Sequence, residues 1–212
     1  MKVVVIGANG KIGRHLVQLL SQRDHQVRAV IRDDAQKPKM EELGADEVVV
    51  ADLEKKIDHA VAGCDAIVFT AGSGSHTGAD KTMLVDLDGA FKTIDAGVAH
   101  GVERFLMVSS MMADRPEQGT ERIRHYFVAK GRADERLRDS GLNYTIVRPG
   151  RLTDEPAKGT VSIQENHETF GEIPRADVAA TIVESLQSEN TYRRSFDLLT
   201  GDVPIEEALK TL

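Results

Sequence analysis

Three side chains in the second half of the chain have the types and spacing of an acid–base site. Tyr126 and Lys130 stand four positions apart in a stretch of helical periodicity, so they lie on one helix face. A lysine beside a phenol favours the phenolate and lowers the pKa of the phenol, which makes tyrosine a usable general acid or base. Ser110 follows a preceding apolar run, and its hydroxyl can hydrogen-bond a substrate oxygen. The same spacing also fits a partly buried tyrosine beside a solvated lysine.

A glycine-rich turn near the start of the chain has the spacing of a phosphate-binding loop. Gly7, Gly10 and Gly13 follow the apolar run 3–6 and lead into helical periodicity over 11–22. Gly7 allows a sharp turn, Gly10 lets backbone N–H groups approach a pyrophosphate, and Gly13 lets the helix pack close to the strand. The helix N-terminus adds free N–H donors. We predict a dinucleotide site here, with a tight turn that binds nothing as the alternative.

The residue after the second apolar run bears on which dinucleotide binds. Arg32 directly follows the run 26–31, and an arginine there suits the 2′-phosphate of NADP(H). An acidic residue at this point holds the ribose of NAD(H) instead. We therefore favour NADP(H) as the cofactor. NAD(H) is the alternative, in which Asp33 takes the ribose and Arg32 is only a solvated charge.

Two further turns are expected to contact the cofactor. Asp52 and Leu53 follow the third apolar run, where they can contact the adenine amino group and ring. For Asp52 the cap of a following helix is an equally good interpretation. Ala71 and Gly72 belong to a turn of small residues after the fourth run, which we expect to pass close to the ribose and phosphates.

Strands and helices alternate along the first 150 residues. Apolar runs typical of buried strands lie at 3–6, 26–31, 47–50, 65–70, 104–108 and 144–147. Helical periodicity lies at 11–22, 36–43, 54–61, 80–100 and 122–139. This alternation predicts an α/β fold with a Rossmann-type, doubly wound parallel sheet. We expect one domain over 1–212, with a dinucleotide-binding core at 1–150 and a small C-terminal substrate-side segment at 151–212 that packs over the carboxyl edge of the sheet.

Composition restricts the class of partner. The net charge of −7 argues against nucleic-acid binding, and no apolar run is long enough to span a bilayer. The chain enters a strand at once, without a leader, and its one cysteine fits a reducing compartment, so we expect a cytoplasmic protein. The seven histidines show no metal-ligand spacing, so we predict no metal site. We expect a monomer or homodimer that acts on a small molecule.

Five short motifs together carry a family resemblance. They are GANGKIG at 7–13, ADL at 51–53, SS at 109–110, YFVAK at 126–130 and VRPG at 147–150. With them the chain resembles the short-chain dehydrogenase/reductase superfamily over essentially its whole length, and most closely the atypical NmrA-like and epimerase/dehydratase-like members. The resemblance implies a Rossmann fold, a bound nicotinamide dinucleotide, and Ser110, Tyr126 and Lys130 as the catalytic set.

The resemblance also implies finer assignments around the cofactor. Asn9, Lys11 and Ile12 join the contacts of the glycine turn. Lys130 would also hold the nicotinamide ribose. Pro149 and Gly150 would lie near the carboxamide.

One position departs from the superfamily pattern. Asp86 stands where the superfamily usually carries an asparagine that positions a proton-relaying water. We keep Asp86 in the catalytic set, because an aspartate can hold a water too. Its negative charge near Tyr126 would raise the pKa of the phenol.

Three functions are compatible with these residues. The first is an NADP(H)-dependent oxidoreductase that transfers hydride to or from a small carbonyl substrate, or an epimerase or dehydratase that uses the same residues. The second is a non-catalytic NADP(H) redox sensor. The third is a flavin or tetrapyrrole reductase, which needs no tyrosine proton donor. No motif identifies the substrate.

Overall fold

The computed structural model describes residues 1–74 and 76–212. The strands in this part of the chain are β1 (Lys2–Ile6), β2 (Gln26–Ile31), β3 (Glu47–Val50), β4 (Ala66–Phe69), β5 (Arg104–Val108), β6 (Asn143–Pro149), β7 (Arg151–Thr153), β8 (Thr160–Gln164), β9 (Glu172–Pro174), β10 (Arg194–Thr200) and β11 (Val203–Pro204). The α-helices are α1 (Lys11–Ser21), α2 (Lys37–Glu42), α3 (Asp58–Val61), α4 (Ala79–Lys81), α5 (Gly89–Ala99), α6 (Glu121–Arg138), α7 (Arg175–Ser185) and α8 (Ile205–Leu209). Short 3₁₀ turns lie at Asp34–Gln36, Pro116–Gln118 and Glu189–Thr191, and a π-helical segment joins α4 to α5 at Thr82–Asp88. Within the described ranges, no helix combines the length and the apolar character needed to cross a membrane.

A parallel sheet forms the centre of the fold. Its strands run in the order β3-β2-β1-β4-β5-β6-β10, all parallel to their neighbours. β8 extends the sheet beyond β10 in the antiparallel direction, and β11 pairs with β8. The strand order reverses between β1 and β4, which is the point at which open α/β sheets bind ligands. The predicted Rossmann-type doubly wound sheet is confirmed.

Side chains of the sheet are buried on both of its faces. In β1, Val3 and Val5 belong to the hydrophobic cluster beneath α1 and α7, whereas Val4 and Ile6 belong to the cluster beneath α5 and α6. None of the four side chains has any exposed surface. An alternating polar pattern would have exposed one face to water, so the uninterrupted apolar run follows from helices covering both faces.

Two predicted helices differ from the observed ones. The stretch 54–61 is helical only in α3, because the residues after β3 form a turn in which the Asp52 carboxylate accepts the N–H of Glu54 at 3.0 Å. The interpretation of Asp52 as a helix cap is therefore wrong. The stretch 80–100 is helical nearly throughout, but wider π turns separate α4 from α5.

The C-terminal residues 151–212 divide between two places. β8, β10 and β11 lengthen the central sheet, and α7 packs against α1. β7 continues from the end of β6 and pairs in parallel with β9 as a separate two-stranded sheet. Because β6 is parallel to its neighbours, the β7–β9 pair lies at the carboxyl end of the sheet, where the glycine turn also lies.

Candidate functional site

A cleft of about 380 Å³ opens at the carboxyl ends of β1 to β4. The predicted cofactor residues that line it are Gly7, Asn9, Gly10, Arg32, Asp52, Leu53, Ala71 and Gly72. The wall also contains residues that the sequence did not single out, namely Gln36, Glu54, Thr77, Lys81 and Val85. None of these five residues belongs to a recognisable sequence motif. They come together only because the sheet topology places their segments side by side.

The glycine turn leaves no room for side chains at two positions. Gly7 has a φ of +85°, and a Cβ there would lie 2.7 Å from the Cα of Ala71. A Cβ on Gly13 would lie 2.4 Å from the carbonyl oxygen of Gly7, so α1 packs directly on the turn. The expected reasons for glycine at these two positions, a sharp turn and close helix packing, are both found.

The start of α1 offers unpaired donors to the cleft. Gly10 is the N-cap residue, and no side chain caps the helix. Among the described residues, the N–H groups of Lys11, Ile12 and Gly13 have no acceptor. The side chains of Lys11 and Ile12 do not line the cleft, because Lys11 pairs with Asp154 and Ile12 packs in the core. Free N–H groups beside a turn in which Gly7 and Gly10 carry no Cβ fit the pyrophosphate of a dinucleotide.

The end of β2 separates the two charges that bear on the nucleotide. Arg32 is exposed, lines the cleft and has no acidic partner among residues 1–74 and 76–212. Asp33 does not line the cleft, and its carboxylate accepts the N–H of Ala35 at 3.0 Å, which caps the following 3₁₀ turn. The arginine is thus available to a ligand, whereas the aspartate already has a partner in the protein.

An ion pair joins two segments of the cleft wall. Glu54 follows β3 and Lys81 lies in α4, and their charged atoms are 2.5 Å apart. The hydrogen bond from Lys81 to Glu54 is the main cause of the raised pKa of Lys81. Since both residues line the cleft, the pair links the turn after β3 to α4.

The turn after β5 is held on two sides, which fixes Ser110. The N–H of Met111 donates to the carbonyl of Pro149 at 3.0 Å, so the turn is tied to the end of β6. On the other side α6 approaches at Gly131, where a Cβ would lie 2.1 Å from the carbonyl oxygen of Ala113. Ser110 therefore lies between the ends of two strands and the face of α6 that carries the predicted tyrosine and lysine.

Lys130 is buried rather than directed into the cleft. Its side chain is 2% exposed, and its Nζ donates to the carbonyl of Val108, the last residue of β5, at 2.8 Å. The Nζ also lies 5.8 Å from the centre of the Phe69 ring. Burial lowers the pKa of Lys130, while the carboxylates of Asp86 and Asp134 act in the opposite direction. The amine connects α6 to the carboxyl end of β5.

The surroundings of Tyr126 raise the pKa of its hydroxyl above the ordinary value. Burial is the main cause of its raised pKa, and the charges of Asp86 and Asp134 raise the pKa further. The Ser110 side chain acts in the opposite direction and lowers the pKa of Tyr126. Lys130 is not among the causes, so the expectation that it lowers the pKa of Tyr126 is wrong. The effect expected of Asp86 is found.

Asp86 connects the cleft to the acid–base residues. Its side chain is 1% exposed, and Oδ2 accepts the N–H of Ser73, a residue of the cleft wall, at 2.9 Å. Its charge acts on both Tyr126 and Lys130. The candidate site thus consists of the cleft and, beside it, the group of Ser110, Tyr126 and Lys130, with this carboxylate between them.

The last two predicted contacts lie outside the cleft. Pro149 ends β6, and its carbonyl holds the turn that carries Ser110. Gly150 is packed so closely that a Cβ would lie 2.3 Å from the carbonyl oxygen of Gly171 and 2.4 Å from Leu199. Both residues therefore shape the edge of the site beside β7.

An ion network centred on the buried Arg148 connects the elements around Ser110 and Tyr126. Arg148 on β6 donates from Nε to Asp134 on α6 at 3.1 Å and pairs with Asp114 in the turn after β5 at 2.9 Å. Arg148 is 3% exposed and Asp134 is fully buried. The network fastens α6, β6 and the Ser110 turn to one another, and Arg148 is a structural residue.

Comparison with known proteins gives a consistent result. The sequence profile of a family described as NAD(P)H-binding matches residues 7–189. The chain is 52% identical over the full length of both chains to "Uncharacterized sugar epimerase YhfK" of Bacillus subtilis strain 168. A Bacillus halodurans structure named as an NAD-dependent epimerase/dehydratase matches with a TM-score of 0.98 and 46% identity, and covers both chains completely. ChuY of Escherichia coli O157:H7, named as an anaerobillin reductase, matches with a TM-score of 0.81 and 26% identity over 96% of this chain and 98% of its own.

Proposed function

The chain belongs to the NAD(P)H-binding family, and from that premise we propose that it is an NADP(H)-dependent oxidoreductase that reduces a small carbonyl compound. The observation that carries this proposal is the buried Asp86 carboxylate, which accepts the N–H of Ser73 in the wall of the cleft at 2.9 Å and lies in the segment that packs against α6, the helix of Tyr126 and Lys130. When bound, the reduced nicotinamide supplies a hydride to the substrate carbon. The substrate oxygen then requires a proton, and Tyr126 is the group suited to donate it.

The preference for NADP(H) rests on the two residues after β2. Arg32 is exposed at the cleft without an acidic partner among the described residues, and a guanidinium recognises a phosphate through paired hydrogen bonds. Asp33 would be needed to hold the ribose of NAD(H), but its carboxylate caps a turn outside the cleft. The 2′-phosphate of NADP(H) is therefore the better complement.

Ser110, Tyr126 and Lys130 each have a separate role in the proposed reaction. Ser110 hydrogen-bonds the substrate oxygen, and Tyr126 delivers the proton. Lys130 acts through position: by donating to Val108 it fixes the distance between α6 and the end of β5. An epimerase or dehydratase cycle with transient oxidation would use the same residues, with Tyr126 as the base in its first step.

A second candidate is a flavin or tetrapyrrole reductase, which requires no tyrosine as proton donor. The match to ChuY, named as an anaerobillin reductase, favours it. Only the carbonyl reductase requires the Tyr126 hydroxyl as a proton donor, so a variant that lacks this hydroxyl distinguishes the two candidates.

The test is oxidation of NADPH by the purified protein with a panel of aldehydes, ketones, enones, flavins and linear tetrapyrroles. For a carbonyl substrate, Tyr126→Phe should lower kcat by at least about 10²-fold, because the proton donor is lost. Tyr144→Phe is the matched control and should keep full activity. Tyr144 lies near the start of β6, whereas the candidate site lies at the carboxyl end of this strand. Unchanged activity of Tyr126→Phe would reject the carbonyl proposal in favour of the flavin or tetrapyrrole reductase. Binding of NADPH without turnover of any compound would favour the redox sensor.

A further inference from the structure

The first turn of α1 carries an exposed arginine, Arg14, that has no acidic partner among residues 1–74 and 76–212. The other cationic side chain of α1, Lys11, is paired with Asp154. Arg23, which follows the end of α1, is paired with Glu184. Because the chain has a net charge of −7, carboxylates are plentiful, and the uncompensated charge of Arg14 is an exception among its neighbours.

A residue of the cleft wall orients the guanidinium of Arg14. Oδ1 of Asn9 accepts hydrogen bonds from the Arg14 Nε at 3.1 Å and from its Nη2 at 2.9 Å, and Asn9 lines the cleft. Two bonds to one oxygen fix the plane of the guanidinium beside the cleft. The guanidinium has more N–H donors than these two bonds use. Its Nη1 end, which has no acceptor in the described part of the chain, is therefore available to a ligand.

The end of β2 lies beside this part of the glycine turn. The N–H of Ala8 donates to the carbonyl of Val30 at 3.1 Å. Asn9 directly follows Ala8, and Arg32 lies two residues after Val30. This hydrogen bond therefore brings Asn9 and Arg32 to the same side of the cleft, which both residues line. Two arginines thus converge there, Arg14 from α1 through Asn9 and Arg32 from the end of β2.

Two guanidinium groups on one side of the cleft are the complement of an anion. Like charges repel, and neither Arg14 nor Arg32 has a carboxylate within the described ranges to offset the repulsion. A phosphate monoester carries about two negative charges and accepts paired hydrogen bonds from guanidinium groups. The N–H donors at the start of α1 offer a separate place for a pyrophosphate. The two arginines are therefore left for a further phosphate group of the same ligand.

We propose that Arg14, held in place by Asn9, is a second ligand of the 2′-phosphate of NADP(H) and binds this phosphate together with Arg32. The inference rests on the proposed use of NADP(H) and adds a second residue that determines the choice of nucleotide. NAD(H) carries a hydroxyl in place of this phosphate and lacks its charge, so Arg14 should contribute little to the affinity for NAD(H). No sequence motif singles out Arg14, because its role depends on the contact with Asn9 across the turn.

The test compares the affinities for NADPH and NADH by isothermal titration, without substrate. It uses the unchanged protein, Arg14→Gln, Arg14→Lys, Arg32→Gln and the double variant with both glutamines. Glutamine keeps a polar side chain without the charge, and lysine keeps the charge without the paired donors. Arg23→Gln is the matched control, because it removes the same charge beyond the far end of α1.

We expect Arg14→Gln to weaken NADPH binding by about 10-fold through the loss of charge-assisted hydrogen bonds, and to leave NADH binding unchanged. Arg14→Lys should recover part of the loss, the double variant should bind both nucleotides with similar affinity, and Arg23→Gln should change neither affinity. Unchanged NADPH affinity in Arg14→Gln would overturn the proposal. Equal losses for both nucleotides would overturn it too, because they would mean that Arg14 only supports the turn through Asn9.

Failure of this inference can be told apart from failure of the proposed function. A loss of NADPH affinity in Arg32→Gln but not in Arg14→Gln would reject the role of Arg14 and keep the proposed cofactor. Tighter binding of NADH by the unchanged protein would reject both. If the protein binds NADPH as expected but converts no carbonyl compound, the reductase reaction is rejected and the role of Arg14 stands.

Discussion

Replacing Gly7 with alanine tests the geometry of the nucleotide cleft in the most quantitative way. Gly7 has a φ of +85°, and a Cβ there would meet the backbone of Ala71, at 2.7 Å from Cα and 2.8 Å from N. Gly63 is the matched control, because its φ is +70° and a Cβ there would have no atom within 4 Å. The two substitutions share the left-handed backbone and differ in the clash.

The expected losses of stability follow from the left-handed backbone conformation and from the clash. An alanine in the left-handed region costs roughly 1–2 kcal/mol, and the loss of chain entropy in the unfolded state offsets about 0.4–1 kcal/mol of it. Gly63→Ala should therefore lower the free energy of unfolding by about 1 kcal/mol or less. Gly7→Ala adds overpacking of about 1–3 kcal/mol, because backbone atoms of Ala71 cannot rotate away as a flexible side chain would.

Urea denaturation of both variants and of the unchanged protein measures the difference, and NADPH binding measures its effect on the cleft. We expect Gly7→Ala to be less stable than Gly63→Ala by about 1–3 kcal/mol, and to be the only one of the two that loses nucleotide affinity. Equal losses of stability, or full nucleotide affinity in Gly7→Ala, would refute the close contact between the glycine turn and the residues after β4.

Three further outcomes follow from named contacts. Arg148→Met should lower the free energy of unfolding by about 3–5 kcal/mol in urea denaturation, since it leaves the buried carboxylate of Asp134 without its ion pair, whereas Arg136→Met breaks an exposed pair and should cost less than about 1 kcal/mol; similar costs would contradict the buried Arg148–Asp134 pair. Glu54→Gln should leave the melting temperature unchanged but speed up nucleotide association in stopped-flow measurements, because it breaks the ion pair with Lys81 that links two segments of the cleft wall; an unchanged rate would exclude a gating role. Asp33→Ala should lower the free energy of unfolding by about 0.5–1 kcal/mol through loss of a cap and leave the affinities for NADPH and NADH unchanged in calorimetry; a selective loss of NADH affinity would restore Asp33 as the ribose ligand.

Much of the fold was predictable because its signals are local. The apolar run before Gly7 and the spacing of Gly7, Gly10 and Gly13 indicate a strand, a turn and a helix without knowledge of any distant residue. The parallel order of the strands follows from the alternation of strands and helices. The π turns around Asp86 have no such signal, because the sequence 80–100 has the same periodic character as an ordinary helix.

The positions of the candidate site residues were more predictable than their electrostatics. The spacing of Tyr126 and Lys130 correctly places them on one helix face, but the direction of the Lys130 amine depends on Val108, a residue 22 positions away. Once that amine is bound to a carbonyl, burial and Asp86 determine the pKa of Tyr126. Short-range spacing identifies which side chains can interact, and only the tertiary structure decides which of them do.

The central claim is that this cleft binds NADP(H) through Arg32. The measurement is isothermal titration of NADPH, NADP⁺, NADH and NAD⁺ into the unchanged protein, into Arg32→Ala, and into Lys37→Ala as a control that removes an exposed charge outside the cleft. We expect the phosphorylated pair to bind more tightly. Loss of charge-assisted hydrogen bonds in Arg32→Ala should weaken NADPH binding by about 10–100-fold, with NADH unaffected and Lys37→Ala unchanged. Tighter binding of NADH, indifferent to Arg32→Ala, would contradict the account.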